Sequence, residues 1–325
     1  MIRLLVTGRN GQVATALLER AADHPDISVI ALGRPELDLE KPETVAAAIL
    51  AAKPDIVVSA AAYTAVDKAE TEPGRAFAAN RDGAGAAARA AAALGVPVIH
   101  LSTDYVYPGD KASPYVETDP TGPLGVYGTS KLEGELAVMA AHGNAVILRT
   151  SWVYSPFGAN FVRTMLRIGK ERDTLRVVDD QQGNPTSAID IADAILRIAP
   201  GLTAAKGPGG IYHLCGTGST TWCGFARHIF VESAKRGGPA PKVEGITTAE
   251  FPTAAKRPAN SRMDMGAFMA RFGFVLRPWH VDGRDCRAAH CIGIVQMWYG
   301  DQILACTREL FVGHSARGRA GRVLG

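Results

Sequence analysis

Residues 2–20 read IRLLVTGRNGQVATALLER, a short apolar run that enters a glycine turn and then a helical pattern. The run Ile2–Val6 predicts a β-strand, and Gln12–Ala21 predicts the first helix. Gly8 and Gly11 permit a tight turn between them and the close approach of backbone to a pyrophosphate, which the helix N-terminus would then face. A G-x-x-G turn alone is a weak signal, and a plain strand–helix connection is the alternative. At the head of an alternating β/α chain it favours nucleotide binding.

The alternation of strands and helices continues to about residue 150. Further strands are predicted at Ile27–Leu32, Asp55–Ala61, Pro97–Leu101 and Ala145–Thr150, and further helices at Val45–Ala52, Phe77–Leu94 and Ser130–Ala141. Short apolar runs separated by helices require crossover connections, which produce a parallel sheet covered by helices on both faces. We therefore predict an α/β fold of the Rossmann type, a doubly wound parallel sheet, with an NAD(P)-binding domain over residues 1–152.

The pattern becomes less regular after about Val153. Helices are predicted at Phe161–Ile168, Ser187–Ile198 and Cys223–Lys235, and extended segments at Leu175–Val178 and Ile211–Leu214. Less regular segments held by a rigid sheet often carry binding residues. We therefore expect a smaller C-terminal α/β substrate lobe over residues 153–278, interleaved with the first domain.

Composition excludes several classes of protein. The chain has 325 residues, of which 47% are hydrophobic and 21% charged, as in ordinary globular proteins. A formal net charge of +3 is too small to argue for a nucleic-acid or anionic-membrane partner. No apolar run reaches the roughly 18 residues of a membrane span. Five cysteines without framework spacing indicate reduced thiols and a cytoplasmic location.

A second signature is the stretch YGTSK, which begins at Tyr127 and ends at Lys131. Residues four apart share one helix face, and an ammonium near a phenol lowers its pKa, as a general acid requires. A Tyr-x-x-x-Lys pair is common by chance, so a solvated surface pair is the alternative. Thr103 strengthens the signal, because it follows the fourth strand at the carboxyl edge of the sheet, where such folds bind ligands. We predict Thr103, Tyr127 and Lys131 as catalytic residues.

The end of the second strand indicates which cofactor the turn prefers. An NAD-specific protein usually has an acid here for the ribose hydroxyls, whereas this chain has Arg34. A guanidinium suits a 2′-phosphate, so NADPH is favoured, while NADH remains compatible through Asp38. A solvated surface arginine is the alternative interpretation of Arg34.

These motifs together resemble the extended short-chain dehydrogenases and, more closely, the dTDP-4-dehydrorhamnose reductase family. The resemblance covers about residues 1–278. The stretches that carry it are VTGRNGQV, RPELDLEKPETV, DIVVSAAAYTAVDKAE, HLSTDYVYPG, PLGVYGTSKLEGE, ILRTSWVYSPFGANFVRTML, VVDDQQGNPT and KRPANSRMD.

The resemblance implies reduction of the C4 ketone of dTDP-4-dehydro-β-L-rhamnose with NAD(P)H. Tyr127 would donate the proton, Lys131 would hold the nicotinamide ribose, and Thr103 would polarise the ketone. The expected cofactor site comprises Gly8, Asn10, Gly11, Gln12, Val13, Arg34, Asp38, Leu39, Ala61, Ala62, Tyr63, Asn80, Tyr127 and Lys131. The expected substrate site comprises Thr103, Asp104, Tyr105, Trp152, Asn160 and Arg257, with Trp152 as an apolar wall and Arg257 as a cation for the diphosphate.

Two other functions share these motifs. Epimerases and dehydratases of nucleotide sugars use the same glycine turn and Tyr/Lys pair, although a dehydratase normally has a glutamate where this chain has Tyr105. A regulatory subunit of methionine adenosyltransferase has the same fold without being a reductase, and the intact Thr103, Tyr127 and Lys131 argue for catalysis instead. We expect a monomer or a homodimer. Some relatives pair through Mg²⁺, but its ligands are not recognisable here.

The last residues depart from the family pattern. After Lys256 the chain has no lysine, and residues 280–325 hold three of its five cysteines. We hypothesise that residues 279–325 arise from a shifted reading frame, which translation of the encoding DNA in the other two frames would test, and we expect weak packing there. The spacing of Cys286, Cys291 and Cys306 matches no zinc pattern closely, so no metal site is predicted.

Overall fold

A computed structural model describes residues 1–204 and 209–280 of the chain. The strands in this part are β1 (Ile2–Thr7), β2 (Ile27–Leu32), β3 (Ile56–Ser59), β4 (Val98–Thr103), β5 (Ala145–Thr150), β6 (Val153–Tyr154), β7 (Thr174–Val178), β8 (Gln182–Gly183), β9 (Thr186–Ser187), β10 (Gly210–His213), β11 (Thr220–Thr221) and β12 (Lys242–Ile246). The α-helices are α1 (Gln12–Arg20), α2 (Pro42–Ala52), α3 (Val66–Ala69), α4 (Pro73–Phe77), α5 (Ala84–Leu94), α6 (Val126–Ala141), α7 (Phe161–Ile168), α8 (Ala188–Ala204), α9 (Trp222–Ala234) and α10 (Gly266–Phe272).

Six strands form one parallel sheet in the order β10-β5-β4-β3-β1-β2. Successive side chains of a strand point to opposite faces, so Leu4 and Val6 enter one apolar layer while Leu5 enters the other. The first layer includes residues of α1 and α8, and the second includes residues of α2, α5 and α6. This arrangement confirms the predicted α/β fold with a parallel Rossmann-type sheet. Within the described ranges, no helix is both long enough and apolar enough to cross a membrane.

The winding direction of the sheet changes between β1 and β3, and this position creates a crevice at the carboxyl edge. Strand β2 lies on one side of β1, whereas the next strand along the chain, β3, lies on the other side of β1. Thr7 joins the two strand ends, because its Oγ1 accepts hydrogen bonds from the amides of Ala60 and Ala61, each at 3.1 Å. Open α/β sheets bind ligands at this kind of switch point.

The helix that carries Tyr127 begins earlier than the sequence predicts. The predicted start was Ser130, whereas α6 begins at Val126, whose amide donates to Oε1 of Glu70 at 2.8 Å. A Cβ on Gly125 would lie 2.5 Å from that same oxygen, so a larger residue there would displace the Glu70 carboxylate. A cap supplied from 56 residues away leaves no local signal in the sequence. Tyr127 therefore lies in the first turn of the helix, not ahead of it.

Other elements differ in detail from the prediction. The single helix predicted over Phe77–Leu94 is α4 and α5 joined by a π-helical turn at Ala78–Gly83. The sequence does not predict the short strand β12 or the helix α10, since β12 contains two charged residues and a glycine and α10 spans only two turns. The hypotheses on the C-terminal tail concern residues beyond 280, which lie outside the described part of the chain.

A buried ion pair joins α6 to the sheet. The guanidinium of Arg149, on β5, donates to both carboxylate oxygens of Glu135, on α6, at 2.9 and 2.6 Å. Neither side chain is more than 3% exposed. The hydroxyl of Ser102 donates to the same carboxylate at 2.5 Å, and Arg149 also donates to the hydroxyl of Tyr107, which contacts Nε2 of His213 at 2.7 Å. The network therefore fixes α6 against β4 and β5 just behind the strand end that carries Thr103.

Replacement of Glu135 by glutamine removes the negative charge but preserves the shape of the side chain. Breaking a buried pair leaves an uncompensated charge, so we expect the free energy of unfolding to fall by about 3–5 kcal/mol. Urea denaturation measures the change. The matched control is Glu244→Gln, which breaks the exposed pair with Lys242 and should change stability little. Equal effects of the two substitutions would contradict a structural role for the buried pair.

Candidate active site

The glycine turn after β1 leaves room for a phosphate beside the backbone. Gly8 has φ +98°, a conformation that side chains rarely adopt, and a Cβ there would lie 3.1 Å from the Cβ of Ala61. Gly11 precedes α1 in extended conformation, and a Cβ built on it meets no atom within 4 Å. No side chain caps the first turn of α1. Uncapped amides at a helix N-terminus beside open space suit a pyrophosphate, so this cradle fits the predicted dinucleotide.

Gln12 connects the glycine turn to the segment that follows β5. Its Oε1 accepts hydrogen bonds from the hydroxyl of Ser155 at 2.7 Å and from Nδ2 of Asn160 at 3.0 Å. Asn160 also caps α7, because its Oδ1 accepts the amide of Arg163 at 3.1 Å. The structure therefore places Asn160 against the glycine turn. Of the other predicted turn residues, Asn10 is exposed and Val13 is buried.

The predicted adenosine-side residues lie after β2. Arg34 is exposed there. The pKa of Glu40 is lowered mainly by its ion pair with Arg75, and the charge of Arg34 adds to this effect. Oδ1 of Asp38 accepts the amide of Glu40 at 3.1 Å. Leu39 is buried against the π-helical turn, where a Cβ on Gly83 would lie 2.5 Å from the Leu39 carbonyl oxygen.

A buried asparagine connects the loop after β3 to the helix α6. The amide group of Asn80 forms two hydrogen bonds with the backbone of Tyr63, which follows Ala61 and Ala62, at 2.8 and 3.1 Å. Its Nδ2 also donates to the hydroxyl of Ser130 at 2.9 Å. Asn80 therefore acts as a bridge between two parts of the predicted cofactor site, and its own side chain is fully engaged by protein atoms.

Lys131 is buried below Tyr127 and contacts the end of β4. Its Nζ donates to the carbonyl oxygen of Leu101 at 2.6 Å and lies 3.3 Å from Nε2 of His100. Burial lowers the pKa of Lys131 to about 8, against the opposing effect of Glu135. The ammonium thus has a fixed position and loses its proton more easily than an exposed lysine.

His100 is a site residue that the sequence analysis missed. It lies in the middle of β4, with Nδ1 3.1 Å from the hydroxyl of Ser59. Burial and the charge of Lys131 hold its pKa well below 6.5, so the imidazole is neutral and its Nε2 faces the ammonium. The available signal was a single polar residue inside the apolar run Pro97–Leu101, which is typical of a group with a fixed buried partner.

Burial, not the nearby ammonium, determines the pKa of Tyr127. Burial raises it to about 12, and a hydrogen bond with Thr103 only partly opposes this increase. The spacing of Tyr127 and Lys131 predicts the opposite direction, with Lys131 favouring the phenolate. That expectation is wrong, because the free-energy cost of removing the phenolate from water exceeds the stabilisation that the Thr103 hydrogen bond gives it. Tyr127 is a fully protonated phenol at neutral pH.

Thr103, Asp104 and Tyr105 form a compact group where β4 ends. The hydroxyl of Thr103 donates to Oδ1 of Asp104 at 3.0 Å and accepts the amide of Tyr105 at 3.2 Å. The ring of Tyr105 packs edge-on against that of Tyr127, with centroids 5.8 Å apart. Burial raises the pKa of Asp104 to about 7. Both hydroxyls proposed for the chemistry, those of Thr103 and Tyr127, are therefore neighbours at the carboxyl edge of the sheet.

A small cleft opens beside Tyr127. Its lining includes Glu70, Tyr105, Leu124, Tyr127, Ala255 and Lys256. Arg257 donates to the carbonyl oxygen of Ala255, one of these lining residues. It also donates two hydrogen bonds to the carboxylate of Asp67, at 3.1 and 2.7 Å. The pair holds the segment around Ala255 against α3. The exposed lysine that lines the cleft is Lys256, which is not among the predicted site residues.

Trp152 follows β5 in a strained conformation. Its φ is +46°, in the left-handed region, and its ring stacks on Trp222 with centroids 3.5 Å apart. Any side chain on Gly183 would overlap the indole. Strained residues of this kind persist only where the surroundings determine them and are common at binding sites. Because Thr150 pairs with Thr103 in the sheet, Trp152 emerges at the same edge as the hydroxyl pair.

Comparison with known proteins identifies the family. The family model described as RmlD substrate binding domain matches residues 2–289. The dTDP-4-dehydrorhamnose reductase of Sinorhizobium fredii is 53% identical over 285 residues, which cover 87% of this chain and 96% of that protein.

Solved structures agree with this assignment. A dTDP-4-dehydrorhamnose reductase from Clostridium acetobutylicum superposes with a TM-score of 0.82 at 34% identity, covering 91% of this chain and 100% of that one. The enzyme from Bacillus anthracis, solved in complex with NADP, gives a TM-score of 0.79 at 32% identity, covering 92% and 99%. With the matched motifs and the shared sheet, these findings show that the chain belongs to the dTDP-4-dehydrorhamnose reductase family.

Proposed function

We propose that this protein reduces the C4 ketone of dTDP-4-dehydro-β-L-rhamnose to give dTDP-L-rhamnose, with NADPH as the reductant. The observation that carries the proposal is the pair of hydroxyls of Thr103 and Tyr127 at the carboxyl edge of the sheet, in the fold that also holds the glycine turn. Relatives that cover nearly the same length are named as reductases of this substrate.

The glycine turn and the loops after β2 and β3 hold the cofactor in this proposal. Gly8, Asn10, Gly11, Gln12 and Val13 surround the pyrophosphate, and Asp38, Leu39, Ala61, Ala62, Tyr63 and Asn80 form the rest of the pocket. Arg34 is exposed at the end of β2, where a guanidinium attracts a 2′-phosphate, so we propose a preference for NADPH over NADH. When bound, the cofactor supplies the hydride that the ketone carbon receives.

Tyr127 supplies the proton in this proposal. As negative charge develops on the ketone oxygen, the phenol transfers its proton there and the hydroxyl of Thr103 stabilises the remaining charge. A pKa near 12 keeps the phenol protonated until an alkoxide forms, which is a stronger base. Lys131, fixed by the Leu101 carbonyl, lies one helical turn away and offers its ammonium to the nicotinamide ribose.

Residues 153–278 form the substrate lobe in this proposal. Trp152 presents an apolar face to the methyl group of the 6-deoxy sugar, and its stacking on Trp222 holds it there. Asp104 and Tyr105 line the sugar site, Asn160 closes it near the glycine turn, and Arg257 contributes positive charge for the diphosphate.

Cys215 and Cys223 are buried free thiols, which supports a reducing compartment such as the cytoplasm.

Replacement of Tyr127 by phenylalanine removes the proton donor but leaves the ring. NADPH oxidation with dTDP-4-dehydrorhamnose should fall roughly 100-fold or more, since general acid catalysis is lost. Absorbance of NADPH follows the rate, and fluorescence titration should show that the variant still binds the cofactor. Tyr212→Phe is the matched control, because that ring packs on Phe268 and Phe272 in the core. A wild-type enzyme that leaves NADPH unoxidised with this substrate would overturn the proposed function.

Replacement of Arg34 by alanine tests the cofactor preference. Loss of a charged contact to the 2′-phosphate should weaken NADPH binding roughly 10- to 100-fold, while NADH binding changes little. Titration of both cofactors by fluorescence measures the two dissociation constants. Lys41→Ala removes an equal charge from the exposed start of α2 and serves as the control. Equal weakening of both cofactors would rule out 2′-phosphate recognition by Arg34.

A further inference from the structure

The hydroxyl of Thr103 has only one proton, and Oδ1 of Asp104 and the amide of Tyr105 lie within hydrogen-bond distance of its oxygen. Thr103 donates it to Oδ1 of Asp104 at 3.0 Å, while its oxygen accepts the amide of Tyr105 at 3.2 Å. A hydroxyl that donates to an ionised Asp104 has no second proton for a substrate. To polarise a ketone, Thr103 must therefore be released from its role as donor to that carboxylate.

The surroundings of Asp104 disfavour its ionised form. The residue is 2% exposed, and its Oδ2 is buried without a hydrogen bond of good geometry. The nearby hydroxyl of Ser261 favours the ionised form, but burial has the larger effect. An unpaired oxygen of a buried carboxylate is costly, whereas a proton on the carboxyl group removes the charge. The groups that face Asp104 are the phenols of Tyr105 and Tyr127, the thiol of Cys215 and the hydroxyl of Ser261. All four are uncharged at neutral pH.

We propose that Asp104 is protonated when the reaction occurs, and that its carboxylic acid donates to Thr103, which leaves the Thr103 hydroxyl free to donate to the ketone oxygen. The inference rests on the proposed function. Asp104 lines the sugar site but is a positioning residue for the chemistry in this scheme, because it acts on the ketone oxygen through Thr103. It keeps its proton throughout, and the proton transferred to the substrate oxygen comes from Tyr127.

The proposal has a specific consequence for pH dependence. The active form predominates below the pKa of Asp104, about 7, so the rate should begin to fall as pH rises through that value. Lys131 loses its proton near pH 8, which produces a second fall in the same direction. Removal of the first titration should therefore move the half-maximal point upward by about one pH unit.

Three variants test the proposal by their rates of NADPH oxidation with dTDP-4-dehydrorhamnose between pH 5.5 and 9. Asp104→Asn keeps a neutral donor to Thr103, so its rate at pH 6.5 should fall much less than that of Asp104→Ala, and its profile should show the upward shift. Asp104→Ala should lose at least tenfold in kcat, since no donor orients Thr103. Asp110→Asn, an exposed acid in the following loop, should leave the profile unchanged.

A second measurement is independent of the proposed substrate. The carbonyl stretch of a protonated carboxylic acid is visible in the infrared, so the wild type at pH 6 should show a band that Asp104→Asn lacks and that disappears near pH 8. Absence of this band, or equal loss of activity in Asp104→Asn and Asp104→Ala, would overturn the proposal. If the band is present but the wild type fails to oxidise NADPH, the proposed substrate is wrong while the protonation of Asp104 stands.

Discussion

The ion pair between Arg149 and Glu135 is the contact on which the geometry of the site depends. It lies between α6 and the sheet, where water does not compete, and Glu135 also accepts the hydroxyl of Ser102. Ser102 directly precedes Thr103, and Glu135 lies one turn beyond Lys131 on the same helix. A single carboxylate therefore fixes the strand end and the helix relative to each other, which holds the hydroxyls of Thr103 and Tyr127 in contact.

Burial has a common effect on the titratable groups around that contact. It raises the pKa of the acids Tyr127 and Asp104 and lowers the pKa of the bases Lys131 and His100. A site excluded from water favours the neutral form of each group, so proton donors stay protonated near neutral pH. This suits a reduction in which negative charge appears on the substrate oxygen, because the charge meets donors instead of other anions.

Much of the fold was accessible from local patterns. Apolar runs alternating with helical segments predict the parallel sheet, and β2 and β5 have the predicted bounds. The start of α6 was not accessible, because its cap comes from Glu70, far away in sequence. His100 was missed for the same reason, since its partners Ser59 and Lys131 belong to other elements.

The sequence alone determined the family, the glycine turn and the identity of the Thr103, Tyr127 and Lys131 side chains, because these depend on residue types at fixed spacing. Only the tertiary structure decided their protonation. The sequence suggested that Lys131 would lower the pKa of Tyr127, whereas in the folded chain Lys131 is bonded to the Leu101 carbonyl and desolvation raises that pKa. Burial and the direction of a hydrogen bond arise from contacts between distant segments, and no local pattern of residues encodes them.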